Sequence, residues 1–440
     1  MRELSRQHSV SLSTATQAMR WLEDTGLVEA RPRSGYFVLQ RAALHAHAPA
    51  SKPAGFKPGQ LLGSSRAELM ELANREHGFG AAYLGSELLE VGRIQRCMFK
   101  ATQDYGSSLA RFEAGSGHEA LQRAVAQHAL RLGSKLEWPS IHVTGGCLEA
   151  IALALRAVTK PGDRVAIESP TFFGFIELLT QLHLKPWELP THPTDGMNLD
   201  ALQSAMEQRR VAAVLLSPAL SNPLGCSMPL AQRARLASLA ARYQKPVIED
   251  VVWNDLLEQP QLRTTVQALD PEGWVMLCGS FTKTLAPGLR LGWLHAGRWS
   301  ELVDGLRSHT MSRPTEVLEL TLAKLLKQSG LERHHLRLRS VLASRREQAR
   351  EIITETFPQG TRVSNPPGGM LLWIELPQAL DSHKLLERAL PERISFIPGT
   401  LFSTKRRFGH CLRLGLGGRW GSHQHAALAR LGALAFALTS

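Results

Sequence analysis

From about residue 61 onward, short β-branched and aliphatic runs alternate with stretches whose apolar positions recur at helical spacing. Ile141–Thr144, Arg164–Ile167, Ala212–Leu216, Pro246–Ile248, Trp274–Cys278 and Leu291–His295 read as strands. Leu148–Val158 and Leu230–Tyr243 read as amphipathic helices between them. The alternation predicts an α/β fold, a mostly parallel sheet covered on both faces. In such sheets ligands collect at the carboxyl ends of the strands, so strand-end residues carry the interest.

The first forty residues are patterned differently. Val10, Ala15, Ala18, Met19, Leu22 and Leu27 follow a helical period with a break around Ser9–Ser11. Ser11 or Ser13 suits the cap of the second helix, and Gly26 suits its end. The polar face of that helix carries Ser13, Thr14, Thr16, Gln17 and Arg20, short donors and acceptors of the kind that read base edges. A hairpin-like Arg31-Pro-Arg-Ser-Gly-Tyr-Phe-Val38 follows, and Arg31 and Arg33 around its turn suit phosphate or minor-groove contact. A helical hairpin used only for packing would share much of this pattern. Residues Gln40 to Gln60 are rich in Ala, Pro and Gly without apolar periodicity, which predicts an extended linker.

Composition narrows the class. With 440 residues, 43% hydrophobic and 20% charged, the chain is globular and too long for one ordinary domain. Its formal net charge of +12 suits a polyanionic partner or simply a basic surface, and charge alone does not choose between them. Five scattered cysteines, odd in number and never in a C-x-x-C pair, argue for a reducing cytosol without a disulfide framework or metal site. No apolar run reaches bilayer length and no signal-peptide core opens the chain, so a cytoplasmic protein is expected.

The strand ends hold candidate chemistry in a definite order. T-G-G-C-L-E-A, Thr144 to Ala150, places glycines before a helix, where exposed N–H groups and the dipole favour an anion. E-S-P-T-F-F-G supplies Phe172, able to stack on an aromatic ring or simply to fill the core. S-P-A-L-S-N-P-L-G supplies the Asn222 amide, and P-V-I-E-D-V-V-W ends an apolar strand in Glu249 and Asp250, where a carboxylate needs a partner. Last comes G-S-F-T-K-T-L-A-P-G-L-R-L-G-W, Gly279 to Trp293. Burial lowers a lysine pKa, so neutral Lys283 suits a Schiff base with an aldehyde. Ser280, Thr282 and the planar fork of Arg290 suit a phosphate. By itself this stretch reads equally as a strand, a turn and a solvent-facing lysine.

Taken in order, these motifs resemble a fold-type-I pyridoxal 5'-phosphate (PLP) dependent aminotransferase over roughly Leu61 to Leu438. The opening segment resembles the winged helix-turn-helix of GntR regulators, and the two together resemble the MocR family of transcription regulators. The resemblance implies a winged helix-turn-helix over 1–39, a linker over 40–60 and the PLP domain over 61–440, with a small α+β C-terminal part from about 315. It further implies that Lys283 holds the cofactor aldehyde and Asp250 the pyridine nitrogen, while Asn222 and Trp253 flank the ring hydroxyl and Phe172 the ring face. The phosphate would take Gly146, Cys147, Leu148, Ser280, Thr282 and Arg290; Arg413, in H-C-L-R-L-G-L, would clamp a substrate carboxylate. DNA, an amino acid or amine effector and a second copy of the chain are the implied partners.

Several positions depart from the family. Trp253 replaces a common tyrosine, Phe112 stands where a tyrosine reaches the partner subunit's phosphate, and Leu148 replaces a frequent glutamine. The first helix and strand with which such winged domains open are missing, as expected for a truncated or late-placed start. Two functions remain open: a PLP-responsive regulator, or an aminotransferase for 2-aminoadipate-like or aromatic amino acids with a vestigial N-terminal segment. A domain that only dimerises would require that Lys283 never engage the cofactor.

Overall fold

The computed structural model describes residues 2–24, 28–31, 34–38, 77–110, 115–310 and 313–439. Gly26, Leu27, Arg33, Phe112 and the expected linker lie outside them. The chain divides into two compact units, Met1–His45 and Ala46–Ser440.

In the small unit, α1 (Arg2–Gln7) and α2 (Leu12–Asp24) precede a hairpin of β1 (Val28–Arg31) and β2 (Gly35–Val38). The break between the helices falls where the hydrophobic period lapses. Ser11, not Ser13, is the cap: its Oγ accepts the Thr14 N–H at 3.1 Å. Ala15 and Val28 are buried, and Glu23 accepts the Ala30 N–H at 3.2 Å, tying helix to hairpin.

The large unit is built on an eight-stranded sheet. In chain order its elements are β3 (His77–Gly78), α3 (Val91–Tyr105), α4 (Glu119–Ala129), β4 (Ile141–Thr144), α5 (Cys147–Val158), β5 (Arg164–Ser169), α6 (Phe173–Gln181), β6 (Lys185–His192), β7 (Gly196–Met197), α7 (Leu199–Glu207), β8 (Ala213–Leu216), α8 (Leu230–Tyr243), β9 (Val247–Asp250), β10 (Val275–Ser280) and β11 (Gly292–His295). The spatial order is β4-β11-β10-β9-β8-β5-β6-β7. From β10 through β6 neighbours run parallel, as expected for strands apolar on both faces. Two strands are reversed: the short edge strand β7, antiparallel to β6, and β11, antiparallel to both neighbours, with Gly292 in register with Ser280 and with Thr144. One apolar layer packs α5 and α6 on the sheet, and another packs α7 and α8 on the opposite face.

The strand β6 escaped the sequence pattern because Pro186 and Pro190 punctuate it. Its register explains the tolerance: β7 pairs only Thr191 and His192, leaving the outer side of the proline-bearing stretch as open sheet edge.

The C-terminal part follows α9 (Ser300–Thr310), α10 (Glu316–Lys327) and the long α11 (Leu331–Thr356). Strands β12 (Arg362–Val363), β13 (Leu371–Glu375), β15 (Ile397–Pro398) and β16 (Cys411–Gly415) form a second sheet in the order β12-β13-β16-β15. Packed with α11, α12 (Ser382–Ala389) and α13 (Ser422–Phe436), it has its own core of Leu, Ile and Phe side chains, the expected small α+β part. Between its last strands, β14 (Ile394–Ser395) pairs in parallel with β3, joining the start of the unit to its end. No described helix is long and apolar enough to cross a membrane.

Candidate functional site

At the carboxyl edge of the large sheet lies a cavity of about 480 Å³, walled by strand ends of one sheet and by β16 of the other. The turn after β4 forms one side. Gly146 sits at φ 134°, a conformation open to glycine, and its carbonyl accepts the Thr144 hydroxyl at 3.0 Å. The N–H groups of the first turn of α5, at Cys147 and Leu148, have no intrahelical acceptor and face the cavity rim. Glu149 takes the Gly145 N–H at 2.5 Å and fixes the turn. A Cβ on Gly292 would overlap the Gly146 carbonyl carbon, so reversed β11 approaches this turn only because it begins with glycine.

Arg290, just before β11, stands at φ 53° at the rim, its Nη2 beside Gly146. A left-handed arginine costs about 1 kcal/mol, a strain that the short turn Pro287–Leu289 imposes and that aims the guanidinium at the glycine turn. Ser280 ends β10, and its Oγ lies 3.4 Å from the Thr282 N–H. Backbone N–H groups, two hydroxyls and one guanidinium thus converge on one end of the cavity, a set of donors that fits a phosphate.

Lys283 follows on the next turn and opens onto the cavity. Burial first, then the Arg413 charge, push its amine down to about 8. Its Nζ donates to the Ala82 carbonyl at 2.6 Å and lies 5.1 Å from the Trp253 ring centroid. Asp250, at the end of β9, is buried on the cavity floor. Burial raises its carboxyl, while the Val252 N–H at 2.9 Å and the Cys147 thiol at 3.3 Å donate to it. The Ser217 hydroxyl, at 3.4 Å, is its third donor. A buried carboxylate held by an amide, a thiol and a hydroxyl lacks a cationic hydrogen-bond partner, and a pyridinium N–H is one. Phe172 lines the wall, its ring 4.8 Å from Phe173.

Arg413 stands opposite, fully buried, and burial pushes it down to about 9. It donates to the Asn222 amide oxygen at 3.1 Å and to the Gly80 carbonyl, and its Nε has no partner among the described residues. Ten of the residues expected from sequence therefore line one cavity: Gly146, Cys147, Leu148, Phe172, Asp250, Ser280, Thr282, Lys283, Arg290 and Arg413. Asn222 and Trp253 stand behind the wall. Asn222 spends its oxygen on Arg413, and the broad Trp253 indole packs into an apolar cluster with Val252 and Leu256 beside Lys283. The cavity has the donors, the buried amine and the buried carboxylate that a phosphorylated pyridine aldehyde requires.

Two features went unread in the sequence. Beneath Asp250, Glu168 accepts the Ser217 N–H at 3.1 Å, and the Ser217 hydroxyl lies 3.4 Å from Asp250. Burial pushes Glu168 up to about 8. A carboxylate ending an apolar strand was visible in E-S-P, the same signal that singled out Asp250. The second feature, the stretch Gly80–Tyr83 along the wall, carries no chemical signature because it acts through backbone carbonyls.

On the small unit, Ser13, Thr14, Gln17 and Arg20 are exposed along α2, while Thr16 is half-buried and its hydroxyl returns to the Leu12 carbonyl at 2.8 Å. The Ser13 and Thr14 hydroxyls both lie 2.7 Å from the capping Ser11 Oγ. Arg31 is exposed, stacked 4.7 Å over Phe37 and paired with Glu29 at 3.2 Å.

Residues 87–422 match the family model of class I and II aminotransferases. The chain is 31% identical over 417 residues to the uncharacterized HTH-type transcriptional regulator YjiR of Escherichia coli (strain K12), covering 94% of this chain and 88% of that one. Its fold is similar to the crystal structure of a multiple substrate aminotransferase from Thermococcus profundus, with TM-score 0.78, 23% identity and coverage of 86% and 96% of the two chains. It is likewise similar to LysN, the alpha-aminoadipate aminotransferase of Thermus thermophilus complexed with N-(5'-phosphopyridoxyl)-L-leucine, with TM-score 0.75, 24% identity and coverage of 84% and 95%.

Proposed function

The chain belongs to the aminotransferase class I and II family, in the MocR type that carries a helix-turn-helix segment before the aminotransferase-like region, and on that premise we propose that it is a PLP-responsive transcription regulator. The observation that carries this reading is the joint presence of two parts: a cavity built around Lys283, Asp250 and Arg413, and an N-terminal helix and hairpin with exposed Gln17, Arg20 and Arg31. The family's cofactor is pyridoxal 5'-phosphate, which supplies an aldehyde and an electron-withdrawing ring when bound. The division into a winged helix-turn-helix to residue 39, a linker to 60 and a PLP domain beyond is part of the same reading, as are a homodimer and a cytoplasmic location.

Each residue has a task that follows from its surroundings. Lys283, with its pKa near 8, has roughly three hundred times the neutral fraction at pH 7 of a lysine titrating at 10.5, so its amine is available to an aldehyde. Asp250 holds a proton on a ring nitrogen, because an ionised carboxylate in this dry floor favours a cationic neighbour. Ser280, Thr282, Arg290 and the first turn of α5 hold a phosphate. Arg413 offers paired N–H donors to a carboxylate, and Asn222 fixes its plane. Affinity for DNA comes from the basic small unit and falls steeply with salt. The ligand class is an amino acid or amine presented beside the cofactor.

The deciding experiment is binding of the full chain to its own upstream DNA, with and without PLP and an amino-acid panel, across a salt series. A change in affinity on adding PLP or an amino acid supports the reading; identical curves under all conditions overturn it. The intact Arg413–Asn222 clamp favours one second reading, an aminotransferase for 2-aminoadipate-like or aromatic amino acids. Rapid full turnover with a keto acid supports that reading, and ligand binding that stalls without turnover supports the regulator. Trp253, which lacks the hydroxyl of the usual tyrosine, weighs against efficient turnover.

A further inference from the structure

Two strands of the large sheet finish on carboxyl groups, with one strand between them. β9 ends in Asp250, β5 carries Glu168 as its next-to-last residue, and β8 lies between the two in the sheet. The residue directly after β8 is Ser217, and it serves both sides. Its N–H donates to Glu168 at 3.1 Å, and its hydroxyl donates to Asp250 at 3.4 Å. All three residues are buried. Pro218, next in the chain, is held in turn, its carbonyl accepting from the Met228 N–H at 2.8 Å and from Arg233 at 3.2 Å. The segment is thus tied on its far side, and Ser217 keeps its place between the two carboxyl groups.

Two carboxylates in one dry floor do not both ionise at low cost, so the charge settles on the better-supplied of the two. Asp250 accepts from the Val252 N–H, the Cys147 thiol and the Ser217 hydroxyl, and the Lys283 charge favours its ionised form. Glu168 has the Ser217 N–H. Burial, and after it the Asp250 charge, push Glu168 up to about 8, so at neutral pH it keeps its proton. The Cys226 thiol, which faces Glu168 from the turn after β8, is pushed up to about 12 by burial and stays neutral as well. The floor therefore holds two carboxyl groups and one negative charge.

We propose that Glu168 is a positioning residue for the cofactor ring: through Ser217 it sets Asp250 against the ring nitrogen, and it leaves the single negative charge of the pair on Asp250. The inference rests on the PLP-responsive reading above and names residues of that same site. What Glu168 supplies is an accepting oxygen, and a neutral amide supplies one equally well. What Ser217 supplies is a short hydroxyl beside a free N–H, which only serine and threonine carry together at this reach. Neither residue touches the ring; both act on the orientation and charge of Asp250.

The test is equilibrium titration of the full chain with PLP at pH 7, together with the ring-nitrogen signal of bound PLP labelled with nitrogen-15, which reports protonation at that atom directly. Glu168→Gln keeps the accepting oxygen and should bind PLP within about twofold of the wild type, with the ring nitrogen still protonated. Glu168→Ala loses the oxygen and Ser217→Ala the hydroxyl. Each should weaken PLP on the order of tenfold and move the ring-nitrogen signal toward the unprotonated position, and Ser217→Thr should restore both. Should Glu168→Ala fail to fold, Ser217→Ala and its threonine rescue decide the matter, since neither disturbs the backbone bond to Glu168. Binding and signal unchanged in Ser217→Ala overturn the positioning role. A Glu168→Gln variant as weak as Ser217→Ala overturns the assignment of the charge to Asp250. Both results leave the regulator reading intact, whereas a wild-type chain that takes up no PLP overturns that reading and the inference with it.

Discussion

The small unit and the cavity of the large unit handle polar side chains in opposite ways. On α2 Gln17 and Arg20, proposed to meet DNA, are exposed, and the nearby hydroxyls of Ser13 and Thr14 are turned toward the helix cap. Little apolar surface supports them: Ala15 and Val28 are buried, whereas Trp21 is 63% exposed. In the cavity, Asp250, Ser280 and Arg413 are buried; Asp250 is fixed by Cys147 and Ser217, Arg413 by Asn222, and Ser280 by the Thr282 N–H of its own turn. The difference teaches where specificity is stored. A buried polar group must be satisfied before any ligand arrives, so the cavity is preorganised. An exposed one is satisfied by water and gains its orientation from the nucleic acid it meets.

Six substitutions test that contrast, beginning with the largest effect. Lys283→Ala should abolish the absorbance of protein-bound PLP while leaving thermal unfolding within a few degrees of the parent; a retained chromophore would mean that another lysine holds the cofactor. Asp250→Asn removes a charge-assisted bond of about 1.5–3 kcal/mol and should weaken PLP binding roughly ten- to a hundredfold in equilibrium titration. An unchanged dissociation constant would place the pyridine nitrogen elsewhere.

Glu168→Gln addresses the layer below. Burial holds the Glu168 proton up to about pH 8, whereas the unfolded carboxyl releases it near 4.5. Between those values the folded chain binds the extra proton, so this contribution is complete below about 4.5 and is lost as pH rises to about 8. The glutamine keeps the acceptor for Ser217 and has no proton to lose. The unfolding free energy from urea titrations should fall less from pH 5 to pH 8 in the variant, by a few kcal/mol overall, each pKa unit being about 1.36 kcal/mol. Parallel pH profiles would remove Glu168 from the buried network. The smallest effects belong to the small unit. Arg20→Ala and Arg31→Ala should each flatten the salt dependence of DNA binding by about one unit of slope, and Ser11→Ala should cost about 1 kcal/mol of helix stability. A slope unchanged in both arginine variants would take α2 and the hairpin off the DNA.

Much of the large unit was legible because its strands announce themselves as aliphatic runs and its chemistry sits at their ends. Arg164–Ile167 and Trp274–Cys278 coincide with observed strands to within two residues, and Leu230–Tyr243 is a helix over that same span. What resisted was geometry made by backbone or by packing. Pro186 and Pro190 hid β6, and only the register with its short neighbour shows why they are tolerated. The bond that the Asn222 amide oxygen accepts from Arg413 was not foreseen, because it depends on β16 folding back beside the turn after β8. Cys147 was expected to lend only its backbone N–H, and its thiol donates to Asp250 because the first turn of α5 faces the end of β9. Carbonyls such as those of Gly80 and Ala82 belong to every residue alike, so no spacing in the sequence marks them.

The bond between Arg413 and Gly80 has a consequence for how the protein is made. It joins the opening of the large unit to its last strand, with nearly the whole of that unit synthesised between them. Among the described residues, the hairpin and helices of the small unit are joined by contacts between near neighbours in sequence, of the kind that form quickly. During translation the reading unit can therefore take shape on the ribosome well before the cavity exists. On the proposed function, until β16 leaves the exit tunnel a nascent chain carries its DNA-binding segment with no means of sensing a ligand, and its first regulated state begins only when synthesis is nearly over.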